Sequence, residues 1–150
     1  MRIFASHAML PEGWSENVAV TIADGRIVEV ELSASPLPGD VRVPALLPAL
    51  SNLHSHTFQR GMAGMSEVRG AASDSFWTWR EVMYKFVDHL KPEDIEAIAA
   101  MAFVEMQESG FAAVAEFHYV HNQPGGLVYD NIAELSERIF AHSERLVLPR

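Results

Sequence analysis

Two imidazoles two positions apart, His54 and His56, stand at the end of an extended apolar run, Leu46 to Leu53. In a strand, residues i and i+2 point to one face about 6.5 to 7 Å apart, so two rings converge on one ion; on a helix they diverge. Neutral imidazole is the common nitrogen ligand of zinc, iron and nickel. The chain has no Cys, which excludes disulfides, thiolate zinc sites and Cys nucleophiles and leaves His and carboxylates as the available metal ligands. A bare His-x-His more often lies in a surface loop than on a metal, so its surroundings decide. Glu116 sits in the apolar run Phe111 to Val120 and must be paired if buried. His118 and His121, three apart on a strand, are expected to face opposite sides. His7, His89 and His142 lie outside any cluster and read as surface residues. Trp77 and Trp79 read as helix-face packing, and Arg80, taken alone, as a solvated helix charge.

The elements that must position these groups follow from periodicity. Val18 to Ile22 and Ile27 to Leu32 flank Ala23-Asp24-Gly25-Arg26, and Asp-Gly between β-branched runs is a strong hairpin signal. Val28, Val30 and Leu32 alternate with Glu29 and Glu31, which predicts a strand buried on one face. A loop, Ser33 to Asp40, leads into a further extended run, Val41 to Leu50. After residue 70 the period turns helical: Phe76, Trp79, Met83, Phe86, Val87 and Leu90 fall at steps of three and four, with Asp74 or Thr78-x-x-Glu81 as the cap. Lys91-Pro92-Glu93-Asp94 opens a second helix with Pro at its first position and acids in its first turn. Its buried stripe is Ile95, Ile98, Ala99, Ala102, Phe103 and Met106, and Ser109-Gly110 stops it. Phe111 to Val120 reads as a strand buried on both faces. After the loop Asn122 to Gly126, Asp130 is placed to cap a third helix carrying Ile132, Leu135 and Ile139. Strands alternating with helices predict an α/β fold with a parallel crossover.

Composition narrows the function classes. With 49% hydrophobic and 21% charged residues, the chain fits an ordinary globular protein. Eleven basic against twenty acidic residues give a formal charge of -9, which argues against nucleic acid and anionic membranes as partners. No run approaches the roughly 18 apolar residues of a membrane helix, and Met1 to Leu10 makes a poor signal peptide. A cytoplasmic location is therefore expected. A complete (β/α)8 barrel needs about 200 residues or more, beyond the 150 present.

The run Leu46 to Gly61, with its His54-Ser55-His56, resembles the first barrel strand of the amidohydrolase superfamily, whose members are metal-dependent hydrolases and deaminases with a small β domain ahead of the barrel. Three blocks in order, Asn52 to Arg60, Asp74 to Glu81 and Ala115 to His121, resemble more narrowly the formimidoylglutamate deiminase family. That family hydrolyses N-formimino-L-glutamate to N-formyl-L-glutamate and ammonia in histidine breakdown.

The resemblance implies an incomplete α/β chain: a small β domain over 1–45, then the first β/α units of a truncated amidohydrolase barrel over 46–150. It implies that His54 and His56 are ligands of one zinc ion, and that Gln59, Arg80 and Tyr119 contact a small-molecule substrate, with Arg80 on a carboxylate. The remaining metal ligands and the general base would come from later strands, so no catalytic residue is expected before Arg150. Residues 141–150 lack the expected helix end and third strand and read as a truncated or frame-shifted product, inactive alone. The full-length family is expected to be homo-oligomeric. Two other readings stay open: a superfamily deaminase of guanine or a chlorohydrolase, and a non-catalytic α/β binding module in which the two imidazoles are incidental.

Overall fold

A computed structural model of the protein describes residues 1–65 and 75–143. The chain divides into two compact units, one over Met1–Ala49 and one from Leu50 onward.

The first unit is a four-stranded sheet of β1 (Arg2–Leu10), β2 (Gly13–Ala23), β3 (Arg26–Glu31) and β4 (Val41–Leu46), in the order β3-β2-β1-β4. The predicted hairpin is β2-β3, and Asp24 and Gly25 at its turn have φ of 50° and 72°. Positive φ at both central residues is what a right-twisted two-residue hairpin requires, and Asp-Gly adopts it at low cost. β4 lies parallel to β1. Ala5, Ala8, Val18 and Val20 are buried against Ile22, Val43 and Leu46. Arg2 donates to Asp40 at 2.6 Å and to Glu31 at 3.0 Å, tying the sheet to the loop before β4. The Leu37 amide and Arg2 together hold the Asp40 carboxyl below the usual carboxylate range.

The predicted burial of one face of β3 does not hold: Val28, Val30 and Leu32 are 59%, 45% and 60% exposed. β3 is an edge strand, and no layer covers it among the described residues. The extended run Val41 to Leu50 is likewise not one strand. It breaks at Leu47 to Ala49, where the chain passes from one unit to the other.

The second unit holds β5 (Leu50–Ser55), a 3-10 turn (Thr57–Met62), α1 (Phe76–Val87), α2 (Pro92–Glu108), β6 (Phe111–Glu116) and α3 (Glu134–Ser143). β5 and β6 pair in parallel, with Leu50 opposite Phe111 and Ser55 opposite Glu116. α1 is capped by Ser75, which accepts from the Thr78 amide while Thr78 Oγ1 accepts from the Ser75 amide. Ser75 takes the place given to Thr78-x-x-Glu81, and Asp74 lies outside the described residues. α2 begins at Pro92 as predicted; Asp94 reaches back to the Lys91 amide, and Gly110 takes φ 87° just past the end. Ile95, Ala99, Ala102 and Phe103 are its buried stripe. The chain entering α3 is held by Asn131, whose side chain accepts from the Ala133 amide, rather than by Asp130. Leu135 and Ile139 are buried, whereas Ile132 precedes the helix and is exposed. Of the divergent last residues, 144–150 lie outside the described ones.

The core of this unit gathers Phe58, Met83, Ile95, Phe103, Leu135 and Ile139 between the 3-10 turn and the three helices. Phe58 is wholly buried, worth about 2 to 3 kcal/mol in transfer terms, and it anchors the turn that follows the two imidazoles. β6 corrects the sequence reading twice. It ends at Glu116 instead of Val120, and its residues are mostly exposed instead of buried on both faces. The parallel pair is the whole of its sheet among the described residues, and α2 meets it where Asn52 on β5 donates to Met106 Sδ.

Candidate metal and substrate site

His54 is the fifth residue of β5 and His56 follows its last residue. Extended backbone sends both rings the same way. Their Nε2 atoms are 2.9 Å apart and the ring centroids 4.6 Å apart. The Asn52 side chain supports the turn by accepting from the His54 amide at 3.1 Å. His56 Nδ1 donates to the Phe117 carbonyl at the end of β6. That bond places the ring proton on Nδ1 and leaves the Nε2 lone pair free, which is how a metal-bound imidazole is normally oriented. Zinc–imidazole bonds are about 2.0 to 2.1 Å, so two nitrogens on one ion lie roughly 2.9 to 3.4 Å apart. The observed pair fits two corners of such a site. Among the described residues no group of three or more His, Asp or Glu forms a metal cluster.

Glu116 fastens the other side of this turn. Its Oε1 accepts from the Thr57 amide at 2.8 Å and from Thr57 Oγ1 at 3.0 Å, while Oε2 is buried with no partner among the described residues. A carboxylate at the start of the 3-10 turn also suits its exposed amides.

Gln59, on the 3-10 turn, donates from Nε2 to the Tyr119 hydroxyl at 2.6 Å, and that hydroxyl donates to Met83 Sδ at 3.4 Å. Tyr119 has φ 40°, backbone that costs an L-residue about 1 to 2 kcal/mol. Its ring repays this by packing edge-on against both His56 and Phe58. Strain retained beside convergent polar groups is a feature of functional sites. Arg80, on α1, donates to the Tyr84 hydroxyl from Nε at 2.9 Å and from Nη2 at 2.6 Å, with Trp77 and Tyr84 rings 5.8 and 5.1 Å from its Cζ.

One cavity of about 490 Å³ joins these groups, lined by His56, Gln59, Arg80 and Tyr119 together with Phe76, Trp79, Met83 and Tyr84. Four of the five singled-out residues thus line one cavity, and His54 stands behind it in contact with His56. Trp79 both lines the cavity and packs on the core, whereas Trp77 is exposed and stacks on Arg80 instead of packing into the helix face. His118 and His121 do not diverge: because the strand stops at Glu116, the chain turns and their rings come within 5.1 Å. His118 Nε2 meets Ser136 Oγ at 2.9 Å, and burial, then the neighbouring His121, lowers its pKa. Neither ring lines the cavity. His7 and His89 are exposed as expected, and nothing is described of the His142 side chain. Tyr84 escaped the sequence reading, although its position one helical turn from Arg80 is a signal for contact.

The family description "Formimidoylglutamate deiminase HutF, N-terminal domain" matches residues 1–43. Formimidoylglutamate deiminase of Pseudomonas aeruginosa is 52% identical over 138 residues, which are 91% of this chain and 30% of that protein. Among solved structures, an amidohydrolase from Brucella melitensis superposes with a TM-score of 0.90 at 46% identity, covering 96% of this chain and 32% of that one. Atrazine chlorohydrolase TrzN from Arthrobacter aurescens, in complex with zinc and atraton, has the same fold at a TM-score of 0.64 and 18% identity, over 94% of this chain and 34% of its own. The chain spans about a third of the length of these relatives. With its small β unit, its parallel β5-β6 pair and the identity that runs through both, it belongs to the formimidoylglutamate deiminase family of the amidohydrolase superfamily and corresponds to that family's N-terminal portion.

Proposed function

We propose that this chain supplies the first part of a zinc-dependent active site that hydrolyses N-formimino-L-glutamate to N-formyl-L-glutamate and ammonia. The observation that carries the reading is the single cavity that joins His56 to Gln59, Arg80 and Tyr119. In this reading residues 1–45 are part of a small β domain and 46–150 are the first β/α units of a barrel, in a cytoplasmic, homo-oligomeric enzyme.

His54 and His56 would hold zinc through their facing Nε2 atoms. The chemistry that zinc supplies when bound is activation of water as a nucleophile near neutral pH. Arg80 presents a planar fork of donors suited to a substrate carboxylate. Gln59 and Tyr119, hydrogen-bonded to each other across the cavity wall, hold the remainder of the glutamate part. The formimino carbon is thereby kept at the imidazole end, and positioning of this kind is worth several kcal/mol, up to roughly 7 to 11. Among the described residues the cavity is lined by no carboxylate, and in this reading the group that carries a proton to the leaving nitrogen comes from later strands of the barrel. The 150-residue chain alone is expected to turn over no substrate.

The test joins this chain to the remaining two thirds of the Pseudomonas aeruginosa relative and measures zinc content and ammonia release. Hydrolysis of N-formimino-L-glutamate, with zinc and activity both lost in His54→Ala and His56→Ala, is the expected result. Hydrolysis of guanine in its place would assign the chain to a ring deaminase. Zinc content unchanged by both substitutions would leave the imidazoles incidental and favour a non-catalytic module.

A further inference from the structure

We propose that Tyr84 is a substrate-binding residue of this site: its hydroxyl proton, presented beside the Arg80 guanidinium, donates to the same substrate carboxylate, so that the two side chains form one receptor and set the preference for a dicarboxylate. The inference rests on the deiminase reading and adds to it a residue and a basis for specificity.

Arg80 and Tyr84 lie one helical turn apart on α1, and both line the cavity. The phenolic oxygen accepts two guanidinium N–H bonds, at 2.9 and 2.6 Å, which occupies its acceptor capacity and leaves its own proton to give. Among the described residues that proton reaches no acceptor. The other phenol in the cavity differs: Tyr119 accepts from Gln59 and commits its proton to Met83 Sδ. Tyr84 is therefore the phenol with a donor to spare. A hydroxyl that accepts from a cation is polarised and becomes a stronger donor, and a donor aimed at a carboxylate is charge-assisted.

The geometry also fixes the guanidinium. With Nε and one Nη2 proton on the Tyr84 oxygen, both Nη1 protons and the second Nη2 proton remain, and these form the end-on fork that a carboxylate takes with two parallel bonds. Trp77 and Tyr84 rings at 5.8 and 5.1 Å from Cζ hold that plane in place. Tyr84 is 52% exposed, so loss of its oxygen leaves the core unchanged.

The experiment uses the full-length enzyme formed by joining this chain to the remainder of the Pseudomonas aeruginosa relative. Steady-state kinetics are measured with N-formimino-L-glutamate and with its two monocarboxylate analogues, one lacking the α-carboxylate and one lacking the γ-carboxylate. In Tyr84→Phe, KM for the diacid should rise about tenfold, the loss of one hydrogen bond to a charged group, with kcat within about twofold. KM for one analogue, the one already missing the carboxylate that Tyr84 meets, should not change. Zinc content and the thermal midpoint should match the unsubstituted enzyme. A rise in KM of equal size for all three compounds, or no rise for any, would overturn the assignment and leave Tyr84 a support for Arg80 or a bystander. Absence of turnover by the unsubstituted, zinc-loaded enzyme would overturn the deiminase reading and this assignment with it.

Discussion

Glu116 is neither a ligand nor a substrate contact in this scheme, and its bonding shows how the backbone beside the two imidazoles is fixed. Thr57 is buried, and both its amide and its hydroxyl depend on one Glu116 oxygen. Without that oxygen two buried donors lack a partner, at about 1 to 3 kcal/mol, and the backbone directly after His56 is released. In the joined enzyme, Glu116→Ala is therefore expected to lose about that much stability in chemical denaturation and to retain less zinc on dialysis against a chelator. Glu116→Gln, whose amide oxygen still accepts from Thr57, should lose far less of either. Equal zinc retention by the Ala variant would mean that the turn is held by Phe58 and by the His56–Phe117 bond alone.

At the scale of elements, the 3-10 turn is what carries Gln59 to the cavity, and Gly61 sets its distance from the helices. A Cβ at this position would lie 2.7 Å from Ile98 Cδ1 and 2.7 Å from Phe86 Cζ. Both atoms are the ends of side chains, on α2 and α1, so Gly61→Ala should be accommodated by displacement at about 1 to 3 kcal/mol. Since Phe86 belongs to the helix that bears Arg80 and Tyr84, KM should rise along with the loss in thermal midpoint; a stable variant with unaltered KM would show that the turn and α1 are not coupled. The elements themselves differ in how far the sequence discloses them. The Asp24-Gly25 turn and the start of α2 at Pro92 are written locally, in residues whose own backbone preferences decide the outcome. Burial is not local. The alternation of Val28 with Glu29 and the apolar stretch Phe111 to Val114 report a preference for being covered, yet most of these side chains are exposed among the described residues. The end of β6 was hidden for a related reason: Val120 and Tyr119 are apolar because they pack into the helical core beside Phe58 and Met83, not because they continue a strand. The misplaced His118–His121 relation follows from that one error. The His-x-His pair was readable from spacing, whereas Gln59, Arg80 and Tyr119 could be grouped only through family resemblance, because three separate elements bring them together.

For the molecule as a whole, the apolar surface left open predicts how it behaves in solution. Within the first unit Ile27 and Val28 are 66% and 59% exposed on an edge strand, and within the second Val114 and Phe117 are 37% and 64% exposed on or next to a two-stranded sheet. Unpaired strand edges flanked by apolar side chains recruit further strands. A net charge of -9 opposes that attraction at long range, and salt screens it, since the Debye length falls from about 30 Å at 0.01 M to about 8 Å at 0.15 M. The 150-residue chain should therefore sediment as a monomer when dilute in low salt and shift to larger species as protein concentration and ionic strength rise. Joining it to the rest of the relative, which supplies the two thirds of the fold that it lacks by comparison, should remove the dependence on salt and leave a single defined oligomer. A chain that stays monomeric at every concentration and salt would show that its open faces are already protected, and association that persists after joining would place the sticky surface outside the strands named here.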